Sequence, residues 1–538
     1  MAVVPNQDNQ HTSASLLLGP PGACSKDPVI TGVVLCMVML CVPGLIPAVA
    51  VCGRSVAVVF ICPITGALLC AIAATAEFVL PGSFTLWLVV TWILSNALAI
   101  GVVVTRKRRP TPTPQLLRFN TLTSIAIVAS VTTVGVWFLL ALKAPMMGFD
   151  TQAIWMLHAM FIYGGHHRLE ADLHNRAYGF SNRDYPPLLP SVSALSFVAV
   201  GKIDPRAGVI MTALLNACAL GVAACGIALV PQHFQETKRL RDSSTKHRLP
   251  QETLRWLTQS FAVVLGVAVL AAGFGLAGEY AINGYADLMW AAAATGAVVF
   301  GLVLPTKRTN AAMAWALSTT AALTKNEGLP VALVVIGLIA VRYIPRDRWI
   351  GEARRSARSL ETSTSSLRTE VRLWVRRCTV AAVMAIPGAS WAAIAFAYGI
   401  NNVFFKSGPP GPASARASAT VTEMTHYLHV LPTAVVVLVI SALCLRQTRR
   451  TFDLGNSAWL WSVFTIYVLT LLATYTLGSL PIHWWLYTSI ERTMIFPQLL
   501  IFTDIAVWAV LGLTRLLARD SSSALEINDR PVAEVAHL

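Results

Sequence analysis

Few side chains in this sequence are placed to do acid–base or ionic chemistry, and they fall in short segments between apolar runs. Asp150 opens one of them, in Gly148-Phe149-Asp150-Thr151. Asp287 stands in INGYADLMW, Lys325 and Glu327 in ALTKNEGLP. His483, Trp484 and Trp485 precede Glu491-Arg492-Thr493 in a third. A carboxylate can take a proton from an attacking hydroxyl. A lysine can hold an anion as a point charge, and an arginine can grip phosphate with its planar fork of donors. Each residue also has a plainer use. Asp150 and Asp287 serve equally as N-caps. Lys325 and Glu327 can pair across a turn, since ionisable groups at membrane depth usually pair or line a cavity. Arg492 can snorkel, and the tryptophans fit an interfacial belt. His158, His166, His167 and His174 invite a metal reading, but their spacing matches no HExxH or comparable ligand set. A divalent metal is therefore not indicated, no cofactor is assigned, and no phosphate-cradling glycine loop for a nucleotide is present.

The elements that must carry these residues are helices in a membrane. The chain has 538 residues, of which 55% are hydrophobic and 12% charged, and its mean hydropathy is +0.62. An ordinary soluble domain carries about 25% charge, so a soluble enzyme and a disordered chain are both excluded. Apolar runs recur at 28–50, 54–79, 83–105, 119–143, 186–201, 207–230, 258–278, 285–304, 309–325, 328–344, 377–399, 428–446, 457–479 and 493–515. The expected fold is all-α and polytopic, with about 13 transmembrane helices. The stretch 186–201 is short, begins at Pro186-Pro187, and is not expected to cross fully. Of the ten cysteines, all but Cys24 lie in or beside apolar runs, without a CxxC pair, and read as reduced packing residues.

Net charge is +15, and its placement argues against nucleic acid. Arg106 to Arg109, the Lys238–Arg248 cluster, ten arginines between Arg342 and Arg377, and Arg446, Arg449 and Arg450 all flank apolar runs. That is the positive-inside pattern of cytoplasmic loops. It divides the chain into an extracytoplasmic tail (1–27, with no cleavable signal), three leading helices (28–105), a basic cytoplasmic linker (106–118), a core (119–515) and a cytoplasmic C-terminal tail (516–538). A basic amphipathic helix is expected over 346–376. The same orientation puts the loop 144–185 outside, where Ile154, Trp155, Leu157, Met160, Phe161 and Ile162 interleave with Gln152 and His158 like amphipathic helices on a membrane surface. The Gly-, Pro-, Ser- and Ala-rich loop 401–427 comes out on that side as a passive connection or a lid. Candidates from five loops thus converge on the outer face of a cell membrane.

Five motifs in order resemble the GT-C superfamily of membrane glycosyltransferases, over about 119–515, with the three leading helices outside the resemblance. They are Phe149-Asp150, Tyr185-Pro186-Pro187-Leu188-Leu189-Pro190, Gly284-Tyr285-Ala286-Asp287, Thr324-Lys325-Asn326-Glu327-Gly328 and Glu491-Arg492-Thr493. The nearest likeness is to the branch of the protein O-mannosyltransferases and the lipid A aminoarabinose transferase, although the first motif has one Asp rather than an Asp-Glu pair. The resemblance implies a GT-C-like helical bundle. It also implies transfer of a sugar, mannose or another hexose or pentose, from a polyprenyl-phosphate carrier to a cell-envelope glycolipid, polysaccharide or protein. By resemblance Asp150 is the catalytic base and Asp287 the second acidic residue. Lys325, Arg492 and, more weakly, His158 hold the carrier phosphate; Glu327, Tyr185, His483 and Glu491 support sugar or acceptor. The chemistry is coherent: a carboxylate deprotonates the acceptor hydroxyl, cations stabilise the departing phosphate, and single displacement inverts the anomeric centre. The partners are then the lipid-linked donor, the acceptor and membrane lipid. A transporter or flippase of lipid-linked sugars, or a non-catalytic scaffold of envelope glycan assembly, is the alternative. A transporter predicts midplane charges in several helices and a repeat, and neither is evident.

Overall fold

A computed structural model describes residues 28–52, 57–107, 148–241, 251–344, 364–400, 408–428 and 454–528, with a few positions between 128 and 140. The spans expected over 119–143 and 428–446, the N-terminal tail, residues 529–538 of the C-terminal tail and much of 346–376 lie wholly or largely outside the described residues. What is described is helical. The leading helices are α1 (Pro28–Cys52), α2 (Ala57–Val79) and α3 (Phe84–Lys107). A π-helical turn (Thr151–Met156) runs into α4 (Leu157–Tyr163), followed by α5 (His166–His174) and α6 (Leu188–Val200). The body comprises α7 (Pro205–Arg241), α8 (Gln251–Ala277), α9 (Asp287–Val298, prolonged by a π-turn to Val303), α10 (Arg308–Thr324), α11 (Gly328–Tyr343) and α12 (Thr364–Ala397). Then come α13 (Ala413–Tyr427), α14 (Leu454–Leu477), α15 (Ile482–Thr493) and α16 (Ile495–Asn528). Among the described residues eight helices are long and apolar enough to cross a membrane, so the protein is a polytopic helical membrane protein.

The sequence pattern explains why these segments form helices and where they stop. Long runs of Ala, Leu and Val satisfy their own backbone, which lipid demands. Glycines let pairs approach closely: Gly44 of α1 lies against the backbone of Cys62 and Gly66 in α2, with no room for a side chain. α6 ends at Gly201, in the left-handed region at φ 79°. Its 13 residues make a helix about 20 Å long, short of the ~30 Å hydrocarbon core. α7 then starts beside α6, because Gly208 packs on Met156 and Ser193. α6 is thus an apolar helix shorter than a membrane span.

Two expectations change. The segment 151–163 does not lie on a surface with one face in lipid. Thr151, Ile154, Trp155, Met156, His158, Phe161 and Ile162 are all buried, because α6 packs over them. The loop 401–427 is not wholly irregular, since 413–427 forms α13. α13 is pinned by Arg416, which is 2% exposed. Its guanidinium donates to the carbonyls of Tyr475 (2.7 Å), Thr476 (3.0 Å), Gly478 (2.9 Å) and Leu480 (2.9 Å). These carbonyls lie at and beyond the C-terminus of α14, where a cation is favoured by the helix dipole. The leading helices, for their part, are not a separate layer. Ile61 and Ile64 share one core with Leu220 and Trp290, and Leu40 and Phe78 share another with Trp155 and Leu195.

One end of the bundle is basic. There Arg342 donates to the carbonyls of Gly301 (2.9 Å) and Leu304 (2.8 Å), and Arg377 to Ile344 (2.9 Å). At the opposite end α2, α5 and α12 meet where Phe78 packs on His174, Trp391 and Tyr398. The start of α9, the α10–α11 turn and the end of α15 also gather at that end, and they carry the ionisable residues described next.

Candidate functional site

Asp150 occupies the N-cap position of the π-turn but makes no side-chain cap. Its carboxylate is turned instead onto the Arg492 guanidinium in a short hydrogen-bonded ion pair. Local packing aims it there. Thr151 donates from Oγ1 to the Asn283 carbonyl at 2.6 Å, tying the segment to the turn before α9. That turn closes through Gly284 at φ 84°, where a side chain would also strike Thr151. Gly148 in turn leaves room for the Tyr285 ring. The Phe149-Asp150 and Gly284-Tyr285-Ala286-Asp287 segments therefore nest, each through its own glycine.

Asp287, 1% exposed, lies in the first turn of α9. Its Oδ1 accepts from Lys325 Nζ at 2.7 Å, and its Oδ2 lies 3.8 Å from Arg492 Nη1. Lys325 sits at the C-cap of α10 in extended conformation, which takes it out of the helix and turns its ammonium to Asp287 and to Glu327 Oε1, 3.0 Å away. The chain Asp150–Arg492–Asp287–Lys325–Glu327 is thus one continuous network. Arg492 is boxed by aromatic faces: its Cζ is 5.1 Å from the Tyr285 ring centre and 5.9 Å from that of Tyr280. It also donates from Nη2 to the Thr488 carbonyl at 2.8 Å. The Tyr280 hydroxyl donates to Glu491 at 3.2 Å, which adds Glu491 to the rim. Two carboxylate oxygens inside the network, Asp287 Oδ2 and Glu327 Oε2, accept no hydrogen bond from the described residues. Acceptors left open in this way mark places for a hydroxyl or water.

Beneath it lies a second layer. Tyr185 stacks on Trp155 with ring centres 5.3 Å apart. Burial, with the negative charges of Glu327 and Asp150 nearby, pushes its phenol well above the usual range. Asp184 accepts from Asn326 Nδ2 at 2.6 Å, and its carbonyl accepts from Trp391 Nε1 at 2.9 Å. These contacts clamp the Tyr185-Pro186-Pro187 motif to the α10–α11 turn.

The residues proposed from sequence therefore divide. Asp150, Asp287, Lys325, Glu327 and Arg492 form the network, Glu491 lies on its rim and Tyr185 beneath it. His158 does not join them. It is 4% exposed, and its Nε2 lies 3.2 Å from Ser181 Oγ. Burial and the nearby Arg183 charge hold its pKa down to about 3, so it is neutral at pH 7 and supplies no charge for a phosphate. His483 is exposed in the first turn of α15, away from the network. Among the described residues no trio of His, Cys, Asp or Glu could hold a metal ion, and the eight described cysteines form no disulfide with one another. The sequence does not pair Tyr280 and Tyr285 with Arg492: Tyr285 stands in the Gly284-Tyr285-Ala286-Asp287 motif, and no motif includes Tyr280. No family model, curated protein or solved structure matches the chain, so the reading of the site rests on its own geometry.

Chemically, the network holds two cations against four carboxylates, counting Glu491. Lys325 is enclosed at 4% exposure between its two acids. Arg492 is the cation at the accessible edge, and its partner Asp150 is the more exposed acid, at 26% for the side chain against 1% for Asp287. One edge of the network thus offers a paired carboxylate and guanidinium.

Proposed function

We propose that this protein is a membrane glycosyltransferase of the kind its motifs resemble. It would move a sugar from a polyprenyl-phosphate carrier to a hydroxyl of a cell-envelope acceptor, with inversion. One observation carries the reading. Asp150, Asp287, Lys325, Glu327 and Arg492 come from four separate segments, and the first and last are 342 positions apart, yet they close into a single charged network at one end of the bundle. Taking the basic end as cytoplasmic, by the positive-inside rule, the network faces outward, where lipid-linked sugars are consumed.

In this reading Arg492 has two positions. Without donor it pairs with Asp150 and engages the carboxylate that must act as base. The donor phosphodiester draws the guanidinium to itself and releases Asp150. The acceptor oxygen then attacks the anomeric carbon as its proton passes to Asp150. The bond from that carbon to the phosphate oxygen breaks, and the lipid leaves as a phosphate monoester with one more negative charge, which Arg492 stabilises. Lys325 acts from behind, holding Asp287 and Glu327 in place. Asp287 in turn backs Arg492 from the buried side of the network.

The test uses the purified protein in nanodiscs with a panel of labelled polyprenyl-phosphate sugars and membrane extract as acceptor. Asp150-dependent release of one sugar is expected. Absence of binding and turnover across the panel would remove the proposal.

A further inference from the structure

α15 is sharply two-sided. Trp485, Leu486, Ile490 and Thr493 are buried against the bundle. The opposite arc, about 140° wide at 100° per residue, carries His483, Trp484, Tyr487, Thr488 and Glu491. Tyr487 is 90% exposed and Trp484 57%, far more than such large rings usually are. The arc ends at Arg492, hence at Asp150. Resting on the glycosyltransferase reading, we propose that this face of α15 is the acceptor-binding surface and that the acceptor is a glycan chain. The rings of Trp484 and Tyr487 would stack on the apolar faces of successive sugars, and His483, Thr488 and Glu491 would bond their hydroxyls.

Three observations favour a saccharide over the membrane interface that also attracts Trp and Tyr. Helices that lie in the interface carry Lys and Arg on the polar face, to meet anionic headgroups. This arc carries Glu491 and neither Lys nor Arg. Aromatic faces here are interleaved with hydrogen-bonding groups, which suits a ring with apolar faces and a hydroxylated edge. Finally, the surface leads straight to the base. A chain lying along α15, about 18 Å long, delivers its terminal hydroxyl at the Asp150–Arg492 pair.

The experiment measures transfer to alkyl-tailed oligosaccharides of increasing length in nanodiscs, for wild type, Trp484→Ala, Tyr487→Ala and Tyr487→Phe. Both alanine variants are expected to raise the acceptor KM about tenfold, most for the longer acceptors. Donor KM and the slow hydrolysis of donor by water should not change, and Tyr487→Phe, which keeps the ring, should retain wild-type behaviour. Bromolipid quenching is compared between wild type and Trp484→Phe, so that the difference reports Trp484 alone. No difference is expected. Unaltered acceptor KM in both alanine variants, or clear lipid quenching at Trp484, overturns the acceptor surface while Asp150-dependent turnover keeps the enzyme reading. Absence of Asp150-dependent turnover with every donor removes both.

Discussion

Replacing Lys325 by methionine separates two roles for that residue. In one, Lys325 holds the donor phosphate, so its loss weakens donor binding and leaves the fold alone. The geometry supports the other. Nζ is 2.7 Å from Asp287 Oδ1 and 3.0 Å from Glu327 Oε1, and the Asp287 side chain is 1% exposed. Removing the cation leaves Asp287 buried with Arg492 as its only described counter-charge, 3.8 Å away. Breaking a buried pair from one side costs about 3–5 kcal/mol, because the remaining charge is uncompensated. Glu327 contributes little of this, since its side chain is 26% exposed. A double variant, Lys325→Met with Asp287→Asn, removes the stranded charge and should recover about 2 kcal/mol, the coupling expected of residues in one network. Apparent Tm in detergent, followed by tryptophan fluorescence, should fall in the single variant and rise part of the way back in the double. If Lys325→Met melts with wild type and only its donor KM rises, Lys325 touches the phosphate and the positioning role is wrong.

Four further outcomes are expected. Asp150→Asn should lower turnover about 10²–10⁴-fold, the usual worth of a general base, without loss of monodisperse protein; wild-type turnover would exclude Asp150 as base. Arg416→Met should destabilise by about 3 kcal/mol, since four carbonyls lose a charged donor, and unchanged melting would contradict the buried clamp. Folded His158 has its pKa depressed to about 3 from an ordinary 6.5, so its contribution is complete above pH 6.5 and is lost progressively as pH falls toward 3. At pH 5 the loss is about 2 kcal/mol, and His158→Phe should flatten the melting-against-pH curve over that window; an unaltered curve refutes the burial. Gly284→Ala places a side chain at φ 84° against Thr151 and should depress turnover more than stability by shifting Asp150; equal activity would show that the nested turns do not position it.

Much of the architecture is legible in the residues. Uncharged runs of about 20 residues announce membrane helices, and Lys325 and Glu327 stand out because a charge inside an apolar hairpin must find a partner. The partner itself was not legible. Periodicity says that Asp287 starts a helix, not that its side chain is turned to Lys325, and Asp150 reads as an N-cap until Arg492 is brought beside it. The amphipathic look of 151–163 misleads for a physical reason: an apolar stripe has the same sequence whether lipid or α6 covers it. Arg416 gave no warning at all. It is one arginine in a run of Ala, Ser and Thr, and only the carbonyls at and beyond the end of α14 explain its burial.

The close pairing of α1 and α2 through Gly44 bears on how the chain is assembled as it is made. α1 and α2 pack on one another and both also meet α6 and α7, which follow them in the chain, so the pair can serve as a floor on which those later helices dock. Asp287 and Lys325, 38 positions apart, neutralise one another early. Asp150 waits far longer, for a guanidinium 342 positions downstream. A chain that stops short of Arg492 would therefore leave the Asp150 carboxylate without its ion-pair partner.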